Sequence, residues 1–134
     1  MTLWQDPERV RFMLDDCPTW AIVGLSGDPS RTAYEIASFL QDRGIRIVPI
    51  HPSAPTVLGE QGYATLEDVP FPVDVVDVFR RSSAAGEFAD LAVKIGARAV
   101  WFQVGVIDED AFARTIEAGV PMVMDTCPKI EWRR

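Results

Sequence analysis

Ala21-Ile22-Val23-Gly24-Leu25-Ser26-Gly27-Asp28-Pro29-Ser30-Arg31-Thr32 is the stretch on which the fold turns. An apolar run ends in small residues, and a helical pattern opens directly behind them. Strand, small-residue loop and helix start, in that order, form the phosphate-holding turn of open α/β proteins. Small residues let the backbone come close, and the helix N-terminus supplies free N–H groups and a partial positive charge. The turn is not a dinucleotide fingerprint, which would read G-x-G-x-x-G. Here Gly24-Leu25-Ser26-Gly27 runs on towards Arg31, in the region where a third glycine is sought.

Working outward, Asp6 is placed to cap a first helix over residues 6–15, with Pro7 at the first helical position, where its missing N–H costs nothing. Trp20 to Gly24 is the first strand. Thr32-Ala33-Tyr34-Glu35 fits a capping box, and Ala33, Ile36, Ala37 and Leu40 follow at the helical period. Gly44 closes that helix, and Ile45 to Ile50 is the second strand. Prolines 52, 55, 70 and 72 with Gly59 and Gly62 exclude a long helix from 53–72, leaving at most one turn at residues 65–68. Val73 to Phe79, Ala99 to Val104 and Val120 to Met124 are three further strands. They are separated by helices over 84–95 and from the Asp108 cap to Gly119, with Ile107 and Phe112 placed as a staple around that cap. A short polar tail closes the chain. Strands alternating with helices at this spacing imply βαβ units, so the expected architecture is α/β: a Rossmann-like, doubly wound, mainly parallel five-stranded sheet forming one domain over 1–134.

The totals narrow the function. The chain has 134 residues, of which 48% are hydrophobic, and a net charge of −7 without any Lys/Arg-rich run, so no nucleic-acid partner is expected. An anionic small ligand remains compatible, because distant charges are screened beyond about 8 Å. Two cysteines and one histidine make neither a disulfide framework nor a zinc set. Acidic residues interrupt the N-terminal segment, and no apolar run approaches the ~20 residues of a membrane span. A cytoplasmic protein with no membrane partner is the expectation.

In open α/β sheets the ligand lies beyond the carboxyl ends of the strands, near the switch point. Those ends carry Gly24, Leu25, Ser26, Gly27, Ser30 and Arg31 after the first strand, and His51 and Pro52 after the second. The third contributes Phe79, Arg80 and Arg81, the fourth Gln103 and Gly105, the fifth Asp125 and Cys127. Three arginines converging on a helix start suit a phosphate-bearing ligand, since Arg offers forked donors. NAD is disfavoured: its ribose wants an acid at the end of the second strand, where His51-Pro52 stands instead.

Several blocks carry a resemblance. Gly24-Leu25-Ser26, Ile50-His51-Pro52, Val75-Val76-Asp77-Val78-Phe79-Arg80-Arg81, Ala99-Val100-Trp101-Phe102-Gln103 and Met124-Asp125-Thr126-Cys127-Pro128-Lys129-Ile130 resemble the stand-alone CoA-binding protein family. That family shares its fold with the CoA-binding domain of the succinyl-CoA synthetase alpha subunit. The resemblance runs from about Asp6 to Glu131. It implies coenzyme A (or an acyl-CoA) as the ligand, with phosphates held by Gly24, Ser26, Gly27 and Arg31. It also implies adenosine beside His51-Pro52, and Phe79 and Arg80 along the groove. The domain that carries the synthetase's phosphorylated histidine has no counterpart in this length, so synthetase chemistry is not expected.

Three functional classes follow. The first is a CoA-binding module without catalysis of its own. The second is an NAD(P)- or other nucleotide-binding redox protein. The third is a small acyl-CoA-handling enzyme using Cys127 or Asp125. The only histidine, His51, is expected on the far side of the site from Cys127, so no Cys–His pair is evident, and catalytic and metal-binding residues are expected to be absent.

Overall fold

The computed structural model describes residues 3–133; Met1, Thr2 and Arg134, part of the expected 1–134 domain, lie outside the described residues. The elements run α1 (Pro7–Asp16), β1 (Thr19–Val23), α2 (Thr32–Asp42), β2 (Arg46–Ile50), β3 (Val75–Val78), α3 (Ser82–Lys94), β4 (Ala99–Phe102), α4 (Glu109–Glu117), β5 (Met122–Val123) and α5 (Pro128–Glu131). The five strands form one sheet in the order β2-β1-β3-β4-β5, every pairing parallel. This is the Rossmann-like α/β architecture that the alternation of strands and helices implies.

Buried residues sort onto the two faces of the sheet. On one face, Trp20, Ile22, Ile47, Val75 and Trp101 pack under Val10, Met13 and Leu14 of α1 and Ile36, Ala37 and Leu40 of α2. On the other, Ala21, Val48, Val76, Val100 and Phe102 meet the small face of α3 (Ala85, Ala89, Ala92) and Ala111 and Phe112 of α4. Trp20 and Trp101 anchor the first face, their ring centroids 5.5 Å apart. Each indole N–H is satisfied by a backbone carbonyl, of Cys17 and Thr126 respectively. Full burial of such rings is tolerable only when that polar edge has a partner.

Local chemistry accounts for most element ends. Asp6 caps α1 through the Glu8 N–H with Pro7 opening the helix, Gly44 (φ 83°) follows α2, and Asp108 caps α4 through the Ala111 N–H. The 53–72 crossover contains only the single 3₁₀ turn Leu66–Asp68. It lies along the open edge of β2, where Tyr63 exchanges hydrogen bonds with Pro49 and His51. Covering an edge strand in this way removes a site for unwanted pairing.

Three expectations change. The strands are shorter than their apolar runs, β5 consisting of only Met122–Val123, because burial extends beyond the hydrogen-bonded ladder. The chain end is not a polar tail but the helix α5, with Pro128 at its start, Trp132 edge-on to Phe39 of α2 and the Arg43 guanidinium 3.6 Å over Phe39. The third change concerns α2. Thr32 is the first helical residue, not the cap; Arg31 occupies the cap position without a side-chain hydrogen bond, and Glu35 reaches instead to Lys129 at 3.0 Å.

Gly24 follows β1 with φ 95°, and a Cβ built there would lie 2.9 Å from the Phe79 carbonyl oxygen. Positive φ and backbone contact both exclude a side chain. Gly24→Ala is therefore expected to destabilise the protein by about 1–3 kcal/mol. A urea midpoint that falls with an unchanged m-value is the check, and an unchanged midpoint contradicts it.

Candidate functional site

The sheet order places a switch point between β1 and β3, the strands whose following helices pack on opposite faces. Two adjoining cavities open there. The smaller, about 360 Å³, is lined by Gly24, Ser26, Arg31, Thr32, Ala33, His51, Phe79 and Arg80. The larger, about 620 Å³, shares Thr32, Phe79 and Arg80 with it and continues past Ile36, Val104, Val106, Cys127 and Ile130. One is polar-walled and the other largely apolar.

The polar cavity is a set of donors. Because α2 lacks a side-chain cap, the Thr32 and Ala33 N–H groups have no protein acceptor among the described residues, whereas Tyr34 and Glu35 bond the Arg31 carbonyl. Ser26 Oγ accepts the Asp28 N–H at 3.3 Å, leaving its own proton to donate. Asp28 folds back onto Ser30, accepting from its N–H and hydroxyl at 3.0 and 2.7 Å, and these bonds hold its carboxyl below the ordinary range. Its Oδ2 stands 3.7 Å from Arg31 Nε, and the Arg31 side chain is 75% exposed, so this guanidinium is free to turn towards the cavity. The Ser53 N–H donates to His51 Nδ1. In the neutral ring this puts the proton on Nε2, making His51 a donor as well.

The loops around the larger cavity are stitched together. Ser82 Oγ donates to the Gly105 carbonyl and accepts the Ile107 N–H, while Asp125 Oδ1 accepts the Gly105 N–H at 2.8 Å. Asp125 is itself in the left-handed region (φ 63°). Its carboxylate is thus occupied in holding backbone. Cys127 lines the cavity, and burial pushes its thiol up from the ordinary value. Arg81 bonds Ser83, and Lys129 and Arg133 from the C-terminal segment join it in the lining.

Of the residues expected from the sequence, Gly24, Ser26, Arg31, His51, Phe79, Arg80, Arg81 and Gln103 line one or both cavities. Gly27, Ser30 and Pro52 lie on the exposed loops outside the lining, and Leu25 turns its side chain into the core. Thr32, Ala33, Lys129 and Ile130 were not expected. Pro128, a residue suited to a helix start, is the sequence signal for α5 that brings the last two in.

One buried group stands out. Asp77 on β3 is fully buried; its Oδ1 accepts from Gln103 Nε2 at 2.5 Å, and its Oδ2 has no partner among the described residues. Desolvation raises its pKa to about 8, against the hydrogen bond from Gln103.

An open parallel sheet with a donor-rich crevice at its switch point has the architecture in which α/β domains hold ligands beyond the carboxyl ends of their strands. The chain belongs to the CoA binding domain family, whose model matches residues 18–133. It is 32% identical over 128 residues to the uncharacterized protein YneT of Bacillus subtilis, covering 94% of this chain and 95% of YneT. Among solved structures it matches a hypothetical protein from Pyrococcus horikoshii OT3 with a TM-score of 0.89 at 32% identity, covering 96% of this chain and 90% of that one. It also matches a dinucleotide forming acetyl-coenzyme A synthetase 1 of Ca. Korarchaeum cryptofilum, with a TM-score of 0.69 at 25% identity. That match covers 82% of this chain but 26% of the synthetase. Among the described residues no helix is long and apolar enough to cross a membrane.

The Asp77 environment makes a pH-dependent prediction. The carboxyl titrates near 4 in the unfolded chain and near 8 in the native one. Between these values the native state holds a proton that the unfolded state has released, so stability falls as pH rises through that window. Asp77→Asn removes the proton from both states. Its melting temperature relative to wild type should rise by about 5 °C or more between pH 4 and pH 8; a difference that stays flat contradicts this account.

Proposed function

We propose that this protein binds coenzyme A or an acyl-CoA across the two cavities and holds it without turnover. The observation that carries the reading is the pairing of an uncapped helix start with an adjoining apolar groove, in a chain of the CoA binding domain family. Coenzyme A has that shape: a strongly anionic nucleotide end and a long, uncharged arm ending in a thiol.

In this reading the phosphates lie in the smaller cavity against the Thr32 and Ala33 N–H groups, Ser26, Arg31 and Arg80. Gly24 allows the backbone of the loop to approach, and His51 borders the adenosine. Phe79 and Arg80, common to both cavities, mark the passage of the arm into the larger one. The donor set fits an anion, because α2 brings two unclaimed N–H groups and the protein's acidic surplus is absent from the lining of the smaller cavity.

Binding without turnover is supported by the positions of three groups. Burial keeps the Cys127 thiol protonated at neutral pH, away from its nucleophilic form. His51 lines the other cavity, with Nδ1 engaged by Ser53. The Asp125 Oδ1 is taken by the Gly105 N–H. None of these pairs a nucleophile with a base.

Isothermal titration of the folded protein tests the reading: coenzyme A should bind with measurable heat and more tightly than NAD or NADP. No binding, or a preference for either dinucleotide, overturns it. Arg31→Ala should weaken coenzyme A by about 1–3 kcal/mol, the loss of a charge-assisted contact, and unchanged affinity would show Arg31 to be a solvated surface residue.

A further inference from the structure

The larger cavity has an apolar wall of Ile36, Phe79, Val104, Val106 and Ile130 and several charged residues that are exposed or half-buried, and one polar side chain of its lining is deeply buried. Gln103, at the end of β4, is 4% exposed. Its backbone is committed on both sides, the N–H to the Val78 carbonyl and the carbonyl to the Val106 N–H. Its side-chain amide is committed on one side only. Nε2 donates to Asp77 Oδ1 at 2.5 Å, and among the described residues no group donates to Oε1. The fully buried side-chain polar atom left unpartnered among those residues is Asp77 Oδ2, so Gln103 Oε1 is not sealed away but reached from the cavity.

Asp77 decides which way the amide faces. Its carboxyl belongs to the face of the sheet that carries Val75 and Trp101. With its proton on Oδ2, Oδ1 is a carbonyl oxygen and takes an N–H; ionised, it is still an acceptor. In the structure Gln103 turns its nitrogen to Asp77 Oδ1 and leaves its oxygen for the cavity. A buried acceptor in an apolar groove is costly unless something donates to it.

We propose that Gln103, oriented by Asp77, accepts a hydrogen bond from an amide N–H in the arm of the bound cofactor, and so selects an amide-bearing pantetheine arm over other chains of similar length. The inference rests on the coenzyme A reading and deepens it. The arm contains two secondary amides, each of which loses water on entering an apolar cavity and needs a partner there. Gln103 Oε1 supplies an acceptor, while Arg81 and Lys129 in the same lining supply donors for the amide carbonyls. Gln103 is a specificity residue in this scheme, and Asp77 a positioning residue that touches no ligand.

The test compares two ligands by isothermal titration: coenzyme A, and 3′-phosphoadenosine 5′-diphosphate, which keeps the nucleotide and its phosphates but has no arm. Gln103→Met keeps the length of the side chain and removes the acceptor. It should weaken coenzyme A by on the order of five- to twentyfold, and change the affinity of the armless nucleotide by less than about twofold on the same scale. Asp77→Asn, which retains an acceptor for Gln103 Nε2, should preserve the wild-type ratio of the two affinities. Asp77→Val should lose it as Gln103→Met does, with the armless nucleotide serving as the control for a folded site. If Gln103→Met shifts both ligands equally, or shifts neither, the inference is overturned and the coenzyme A reading stands. If the wild type binds neither ligand, the coenzyme A reading fails and takes the inference with it.

Discussion

The parallel pairing of β1 with β3, two strands that the chain visits with another strand between them, is the constraint on which the structure depends. After β1 the chain turns to one face of the sheet to form α2, and after β3 it turns to the other to form α3. Where neighbouring strands send their continuations to opposite sides, the loops part and leave a crevice at the carboxyl edge. Gly24 is where the constraint is tightest. The β1 end is tied to β2 through the Gly24 N–H and to β3 through the Val23 carbonyl and the Phe79 N–H. The contact with the Phe79 carbonyl leaves no room for a side chain. Both cavities share Phe79 because this point divides them.

The same edge explains how an acidic protein presents a crevice suited to anions. Its net charge of −7 is a total for the chain, and at physiological ionic strength charges beyond about 8 Å from the crevice are largely screened there. What acts locally is the start of α2 with its unclaimed N–H groups, and the arginines that end β3. Asp28, in the loop ahead of α2, is turned onto Ser30 and Arg31. The loop thus hydrogen-bonds its own carboxylate and leaves the helix start open. A Thr, Ser or Asp at the cap position would have closed it, but Arg31 stands there. Glu35 is drawn off to Lys129, and that ion pair helps hold the C-terminal helix against α2 as a wall of the larger cavity.

Asp77 and Gln103 run against the economy of a hydrophobic core. A fully buried carboxyl whose Oδ2 has no partner among the described residues stands where an apolar residue would be more stable. Its neighbours on β3 are all valines. The pair is intelligible as a device for presenting one amide oxygen to the groove from a deeply buried position. The rigidity of the sheet favours such a device, since a group held on adjacent strands is placed more accurately than one on a loop.

Much of the fold was legible in the sequence, because hydrophobic periodicity and glycine punctuation are local signals. Gly44, Gly96 and Gly119 each separate a helix from a strand with φ between 77° and 84°. The residues at the strand ends were legible for the same reason: once the sheet is parallel, its carboxyl edge is a list that can be read off. Three features were not. The uncapped start of α2 depends on where the helix begins, with Arg31, which has no side-chain acceptor, at the cap position and Thr32 already helical. The helical form of the chain end depends on α2 offering Phe39 and Arg43 to Trp132. The meeting of Asp77 with Gln103 depends on the register of β3 against β4. The sequence by itself therefore determined most of the elements, their parallel arrangement and the small-residue turn that follows the first strand, all matters of near-neighbour chemistry. Only the tertiary structure decided which donors stay free and which polar atom faces the groove, because those depend on partners that the fold alone brings together.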